Sequence, residues 1–150
     1  MAASHEYGAR LTWRRGGEGV AAGNHRVEWP GRPGVELSAA PQYKGDPTRT
    51  NPEELFVAAL VSCQMLSFLA LAGRAGITVV AYDDDAVGTL AMVDRKMRMA
   101  GVVLRPRITV AAGSDLQKAR ALVETAHENC FIASSVACPV SVEPEIVPAG

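Results

Sequence analysis

The alternation of apolar and polar residues predicts three strands in the first third of the chain. Residues 8–14, 20–29 and 35–40 alternate loosely between the two kinds of side chain, a pattern typical of antiparallel strands. A cluster of proline and glycine over 30–34 predicts a turn between the last two. Residues 41–50 also contain proline, glycine and aspartate, and we expect a loop there.

The clearest helix signal in the sequence begins at Asn51. Asn51 suits the N-cap position, Pro52 suits the first helical position, and Glu54 completes a capping-box pattern. The segment from there to about Arg74 is apolar almost all round, and Gly76 is expected to close it. A helix without a polar face is buried on most sides. We therefore expect a central helix, sheathed in part by a second subunit.

The second half of the chain predicts longer strands and a second helix. The composition predicts two long strands, over 77–93 and 97–111, and a last strand over 141–147. Ser114 is the predicted N-cap of a helix over 115–129, which carries one apolar face. The predicted order βββ-α-ββ-α-β is typical of an α+β fold, in which antiparallel strands pack against two helices.

Composition and charge exclude several classes of function. At 150 residues the chain is the size of one ordinary domain, so we expect a single domain over 1–150. The formal net charge is −1 and the basic residues are scattered, which argues against a nucleic-acid surface. The sequence lacks a long uninterrupted apolar run and a secretory signal pattern, so we expect a cytoplasmic protein without a membrane partner. Three cysteines, an odd number, favour free or redox-active thiols over a disulfide framework.

Two of the cysteines, Cys63 and Cys130, lie in segments that the pattern predicts to be helical. A thiolate that meets a peroxide becomes a sulfenic acid, and a second thiol within reach condenses with it to a disulfide. Two-cysteine redox chemistry is therefore one interpretation. The alternatives are that Cys63 is a small buried hydrophobe and that Cys130 packs at a helix end. Cys138, which precedes a predicted strand, is interpreted as structural.

Other polar groups are weaker candidates for a site. His127 lies three residues before Cys130 and could stabilise a thiolate, with a surface or capping role as the alternative. A zinc site is disfavoured because the sequence lacks close-spaced pairs of ligands, and no metal is expected. Asp83 to Asp85 predict a loop or bulge and do not have the spacing of a calcium loop.

Two segments resemble the signatures of a known family. The segment from Asn51 to Leu55, with a cysteine ten residues after Glu53, resembles the first signature of the OsmC/Ohr family of organic hydroperoxide reductases. The segment from Ala126 to Cys130 resembles the second signature. Gly45 to Pro47 and Tyr82 to Asp84 resemble the OsmC-like subgroup. The resemblance implies an OsmC-like fold and an intertwined homodimer with two active sites at the subunit interface.

The resemblance also implies roles for particular residues. Cys63 corresponds to the peroxidatic thiol, Cys130 to the resolving thiol, and Glu53 to a glutamate that pairs with an active-site arginine. Ten helical residues span ~15 Å, so Glu53 would act on Cys63 through that arginine, through a helix break or from the other subunit. The arginine has no clean match, and Arg15 and Arg49 are our leading candidates. The basic residues available in the hairpin and the following loop are Arg14, Arg15, Lys44 and Arg49.

The expected function is a thiol-dependent peroxidase that reduces organic hydroperoxides, with inorganic peroxide as a further substrate to test. It would form a sulfenic acid on Cys63, then a Cys63–Cys130 disulfide that an external dithiol reduces, without a cofactor. Two alternatives stay open. One is an OsmC-like dimer that binds a small ligand without peroxidase activity. The other is a Cys-dependent acyl hydrolase, for which His127 is the candidate base. Apolar side chains near Cys63 favour alkyl hydroperoxides as substrates: Met65, Phe68 and Leu69.

Overall fold

The computed structural model describes residues 2–16 and 23–150. Its contacts divide the chain into two compact units, one that ends at Leu55 and one from Phe56 to Gly150. Each unit is described by itself below. The single domain over 1–150 stays a prediction.

The N-terminal unit contains a three-stranded antiparallel sheet. Its strands are β1 (Arg10–Thr12), β2 (His25–Trp29) and β3 (Arg32–Leu37), in the order β1-β2-β3. The third strand begins earlier than predicted because Gly31, at φ 69°, allows a tight turn that lets β3 pair with β2 at once. The first part of the strand predicted over 20–29 lies outside the described residues.

The loop that follows β3 is confirmed and is folded closely on itself. A short 3-10 helix, Pro41–Tyr43, opens it. A Cβ atom at Gly45 would collide with the backbone of Ala39, so this position requires glycine. The backbone N–H and the hydroxyl of Thr48 both donate to Asp46 Oδ1, at 2.9 and 2.7 Å. This local turn leads the chain directly into the first helix.

The first helix, α1, covers Pro52–Arg74 as predicted. The capping box is present in both directions. The Glu54 N–H donates to Asn51 Oδ1 at 2.9 Å, and the Asn51 N–H donates to Glu54 Oε2 at 3.1 Å. Gly76 takes a left-handed conformation at φ 72° just beyond the helix end.

Only one line along α1 is buried within a single chain. The fully buried side chains repeat every fourth residue and therefore share one face: Leu60, Gln64, Phe68 and Ala72. Leu66 is 60% exposed and Leu69 is 37% exposed. The expectation that α1 is buried on most sides is therefore not met by one chain alone. By length and hydropathy, α1 is also the one helix among the described residues that could cross a membrane, although core helices of soluble proteins meet the same criteria.

The long strands predicted in the second half are each divided in two. The Arg105 N–H donates to Asp84 Oδ1 at 2.8 Å instead of joining a strand ladder, and Pro106 has no N–H to donate. The chain therefore bends at Arg105, and a turn after Asp84 divides the preceding strand. The last predicted strand is likewise divided, at Pro144. The observed strands are β4 (Val79–Asp84), β5 (Val87–Val93), β6 (Lys96–Leu104), β7 (Pro106–Val110), β8 (Val140–Val142) and β9 (Glu145–Pro148).

These six strands form two three-stranded sheets, ordered β4-β7-β9 and β5-β6-β8. The pairs β4–β7 and β5–β6 are antiparallel, but β8 joins β6 in parallel and β9 joins β7 in parallel. The α+β class is confirmed, and the prediction that the strands are antiparallel holds for only part of each sheet. The exception arises because the chain returns through the second helix before it adds β8 and β9, which reverses their direction.

The second helix, α2, covers Leu116–Glu128. Its N-cap is Asp115 and not the predicted Ser114. The Lys118 N–H donates to Asp115 Oδ1 at 3.0 Å, whereas the Ser114 hydroxyl donates back to the Ala111 carbonyl at 2.6 Å. The buried face of α2 packs with α1 and β7 in one apolar cluster: Phe68, Ala72, Ile77, Ile108, Val110, Ala119, Val123 and Ala126.

Candidate active site

The two cysteines predicted to react lie on different elements of the C-terminal unit. Cys63 lies in the middle of α1 and is half-buried. Cys130 is fully buried and lies beyond the C-cap of α2, Asn129, so its predicted place inside the helix is wrong. The helix ends at Glu128, because the backbone of Asn129, at φ −99° and ψ 1°, is not helical.

The structure brings Cys63 and Cys130 into side-chain hydrogen-bonding contact as free thiols. Burial, and next the hydrogen bond with Cys63, raise the pKa of the Cys130 thiol. The backbone N–H groups of Ile132 and Ala133 act in the opposite direction, and the Ala133 N–H lies 3.5 Å from the sulfur. The effect of burial is the larger one and the pKa is raised, so Cys130 is a neutral thiol at neutral pH.

Tyr82 and Asp84 are further candidates, which the sequence marked only through the resemblance to the OsmC-like subgroup and not as site residues. Both lie in β4, so the loop or bulge predicted for Asp83 to Asp85 begins only at Asp85. Burial raises the pKa of Tyr82, and Asp84 and Cys130, once they are ionised, raise it further. Burial also raises the pKa of Asp84, against a lowering by the N–H of Arg105. The alternation along the strand was the available signal, because it places Tyr82 and Asp84 on one face.

Several buried polar atoms of this unit lack a hydrogen-bond partner. Gln64 is fully buried and donates from Nε2 to the Val123 carbonyl at 3.2 Å, which leaves its Oε1 unpaired. Unpaired buried groups are uncommon and costly, so each calls for an explanation. In the C-terminal unit as described, the unpaired atoms are Gln64 Oε1, Tyr82 OH, Asp84 Oδ2 and His127 Nδ1.

The remaining predicted site residues belong to the N-terminal unit. Glu53 lies in the first turn of α1. The guanidinium carbon of Arg15 lies 5.9 Å from the ring centroid of Trp13, a cation–π distance. Arg49 forms ion pairs with Glu36 at 2.9 Å and with Asp46 at 3.6 Å. The roles of Glu53, Arg15 and Arg49 stay predictions.

No metal site emerges from the part of the chain that the structure describes. Within residues 2–16 and 23–150, His, Cys, Asp and Glu form no group of three or more that could hold a metal ion. Cys63, Cys130, Cys138 and His127 therefore do not form a zinc-binding group among the described residues. The chemistry available at the site is that of the two thiols and the nearby carboxyl and phenol groups.

Comparisons with known proteins identify the family and the fold. The family model described as "OsmC-like protein" matches residues 45–145. An OsmC-like protein of unknown function from Vibrio cholerae has 36% identity and a TM-score of 0.86, over 94% of this chain and 99% of that one. The organic hydroperoxide resistance protein OhrB of Bacillus subtilis has 25% identity and a TM-score of 0.66, over 93% and 98%. An organic hydroperoxide resistance protein from Legionella pneumophila shares the fold at 24% identity and a TM-score of 0.71, over 96% and 99%. A comparison with curated proteins gave no significant match.

Proposed function

The chain belongs to the OsmC-like family, and from this membership and its hydrogen-bonded thiol pair we propose that it is a two-cysteine organic hydroperoxide reductase. Some structural relatives are named organic hydroperoxide resistance proteins, whereas the Vibrio cholerae relative has no known function. The observation that carries the proposal is the contact between Cys63 and Cys130. Two thiols in contact can form a disulfide with little movement of the backbone.

The proposed reaction has three steps. The Cys63 thiolate attacks the terminal oxygen of the hydroperoxide, the O–O bond breaks, and the alkoxide leaves and takes up a proton to become an alcohol. Cys63 then carries a sulfenic acid. The Cys130 sulfur attacks the Cys63 sulfur, a disulfide forms, and water is released. An external dithiol reduces the disulfide by exchange and restores both thiols.

Burial supports the assignment of the two roles. Cys63 is half-buried, so a peroxide can approach its sulfur, whereas Cys130 is fully buried and holds a neutral thiol. A nucleophile for peroxide must be both accessible and able to ionise. Cys63 is therefore the proposed peroxidatic thiol and Cys130 the proposed resolving thiol.

The two alternative functions have less support. A Cys-dependent acyl hydrolase needs a base at the nucleophile, and the described residues place a thiol, not a histidine, in hydrogen-bonding contact with Cys63. A dimer that only binds a small ligand would have no use for a pair of adjacent thiols. The peroxidase uses both sulfurs and is the function proposed.

The proposed assembly is a homodimer in the cytoplasm, where thiols are kept reduced. Most of the apolar surface of α1 is uncovered, since 22% of its most apolar stretch is buried in a single chain. A second copy of the chain is the proposed cover, because a symmetric contact would bury the same patch on both partners. A membrane is disfavoured as the cover because one face of α1 is already packed within the C-terminal unit. On that face the buried Gln64 donates a hydrogen bond to the Val123 carbonyl of α2.

The different roles proposed for Cys63 and Cys130 give the first test. Cys130→Ser is expected to consume one equivalent of cumene hydroperoxide near the wild-type rate and to keep a sulfenic acid that dimedone traps. Its steady-state turnover with a dithiol should fall about tenfold or more, because the sulfenic acid has no internal partner and oxidises further. Rapid-mixing kinetics and mass spectrometry measure both quantities, with hydrogen peroxide as the second substrate.

The matched control for this test is Cys138→Ser. Cys138 is 8% exposed and packs in a separate apolar cluster with Leu60, so both rates should stay near those of the wild type. Full turnover by Cys130→Ser would refute the resolving role of Cys130. A wild-type protein that consumes no hydroperoxide would refute the peroxidase itself.

The proposed activation of Cys63 by an arginine has its own test. Arg15→Ala or Arg49→Ala is expected to slow sulfenic acid formation about 10- to 100-fold, because a guanidinium stabilises a thiolate and the leaving oxygen. The control is Arg107→Ala, which removes an exposed ion pair with Glu145. Thermal unfolding of each variant separates a chemical effect from a loss of stability, since Arg49 also pairs with Glu36. Wild-type rates in both arginine variants would contradict the prediction.

A further inference from the structure

Gln64 is a buried polar residue that the proposed reaction does not use. It follows Cys63 directly on α1 and is fully buried. Its Oε1 has no hydrogen-bond partner among the described residues, and an unpaired buried amide oxygen costs stability. Packing alone therefore does not account for a glutamine at this position. The other fully buried residues on the same line of α1 are apolar: Leu60, Phe68 and Ala72.

A hydrogen bond from Gln64 joins the two helices that lead to the thiols. Gln64 Nε2 donates to the Val123 carbonyl of α2 at 3.2 Å. This carbonyl lies inside α2, where the N–H of His127 is its partner in the helical ladder. The carbonyl therefore does not need the glutamine for its own satisfaction, and the added bond acts as a link between α1 and α2.

The position of α2 determines the position of Cys130, because the chain stays hydrogen-bonded from Val123 to the thiol. Cys130 follows Val123 by seven residues, about two helical turns. The Asn129 N–H donates to the Thr125 carbonyl at 3.1 Å, and the Cys130 N–H donates to the His127 carbonyl at 3.3 Å. A movement of α2 along α1 therefore moves Cys130 relative to the other thiol.

The contact between the two thiols tolerates little movement of this kind. A slide by one helical residue is about 1.5 Å, whereas the Cβ atoms of a disulfide lie within a range of only about 1 Å. The apolar contacts between α1 and α2 have no preferred direction and permit such a slide. A buried hydrogen bond does not, and fixing the register of helices is the best-attested use of buried polar groups.

We propose that Gln64 is a positioning residue that fixes α2 against α1 and so holds Cys130 at Cys63. This inference deepens the proposed function and rests on it, because the disulfide that the contact favours is the product of the proposed resolving step. Gln64 takes no part in the bonds that form and break. The stability lost at its unpaired oxygen is offset in function by a fixed thiol pair.

The test is Gln64→Met in the full chain, equilibrated with reduced and oxidised glutathione. Methionine is unbranched and similar in size but cannot donate to the Val123 carbonyl. All proteins carry Cys138→Ser, so Cys63 and Cys130 are the only thiols. One oxidised glutathione takes two electrons and two protons from the pair and becomes two reduced glutathiones, while the disulfide forms. The fraction of disulfide gives the effective concentration of the thiols, which should fall about tenfold or more. The reduction potential should rise by about 30 mV for each factor of ten.

Thermal unfolding of the reduced proteins is the second measurement, and it should not follow the first. Gln64→Met should unfold at the same temperature as the parent or higher, because an unpaired buried amide is removed and the Val123 carbonyl keeps its helical partner. A residue with a merely structural role would lose stability instead.

The matched control is Val123→Ala. It keeps the carbonyl that accepts from Gln64 but truncates a fully buried side chain of the same contact. Its unfolding temperature should fall, as is usual when a core side chain is shortened. The effective concentration of its thiols should stay within about twofold of the parent.

A peroxide arm separates this inference from the proposed function. With cumene hydroperoxide, Gln64→Met should form the Cys63 sulfenic acid within about twofold of the parent rate and close the disulfide about tenfold more slowly or worse. If the parent forms the disulfide with glutathione but consumes no hydroperoxide, the proposed function is wrong and the positioning role is judged on the glutathione measurement alone. An unchanged effective concentration in Gln64→Met, or an equal fall in Val123→Ala, would overturn the positioning role.

Discussion

Cys63→Ser is expected to lower dithiol-dependent consumption of organic hydroperoxide by at least about three orders of magnitude, as is usual when a catalytic nucleophile is removed. A serine hydroxyl stays protonated near neutral pH and attacks the O–O bond very slowly. The fold should survive, because serine is close to cysteine in size and this position is only half-buried. Peroxide consumption is the measurement, and circular dichroism together with thermal unfolding verifies the fold.

A displaced thiol is the matched control for this prediction. The double variant Cys63→Ser with Ser62→Cys keeps a thiol on α1 but rotates it by about 100° around the helix axis. Ser62 is exposed, so this thiol is accessible but points away from Cys130. Activity should not return. Peroxide consumption by either variant at more than a few per cent of the wild-type rate would contradict the role given to Cys63.

Leu66→Glu is expected to convert the proposed dimer into a monomer. Leu66 is 60% exposed in a single chain, so the substitution should change the stability of the monomer little. In a symmetric interface the new carboxylate appears twice and is buried without a partner at each site, at about 3 kcal/mol or more per site. The dissociation constant should therefore rise by well over a thousandfold. Sedimentation velocity at micromolar concentration is the measurement.

The control introduces the same charge on the other helix. Leu116 at the start of α2 is 38% exposed, and Leu116→Glu should leave the dimer intact. An interface of the obligate kind buries more than about 2,000 Å², so the wild type should stay dimeric on dilution. A wild-type monomer at micromolar concentration would refute the dimer, and dissociation by Leu116→Glu as strongly as by Leu66→Glu would refute the role of α1 in it.

The elements that the sequence predicted correctly are those whose signals lie close together along the chain. α1 was predicted to within a residue because its capping box needs only Asn51 and Glu54, which are close in sequence and bond to each other. The N-cap of α2 was misplaced because Ser114 and Asp115 are both good caps, and only the backbone path decides which one is used. The division of the strand predicted over 77–93 was anticipated only as a loop or bulge at Asp83 to Asp85. The division of the strand predicted over 97–111 was missed because it depends on a hydrogen bond from Arg105 to Asp84, which is distant in sequence.

For the candidate site, too, only the features with local sequence signals were predicted. The sequence marked Cys63 and Cys130 through the motifs around them, but their contact depends on how α2 ends. Tyr82 and Asp84 were not named as site residues because polar residues in a strand normally indicate its solvent-exposed face, and the apolar cluster that covers Tyr82 is built by residues distant in sequence. Glu53 and the arginines lie in the other unit, and their distance from the thiols stays a prediction.

The parallel pairing of the last two strands has a consequence for biosynthesis. β8 and β9 complete the two sheets of the C-terminal unit, and each pairs with a strand made long before it. A nascent chain on the ribosome therefore carries two unfinished sheets, with the edges of β6 and β7 open, until residues 140–148 emerge. The apolar surface of α1 has by then been outside the exit tunnel for some time. Open strand edges and an uncovered apolar helix are the features that chaperones protect during synthesis, and in this fold the edges of β6 and β7 stay open until residues 140–148 are available to pair with them.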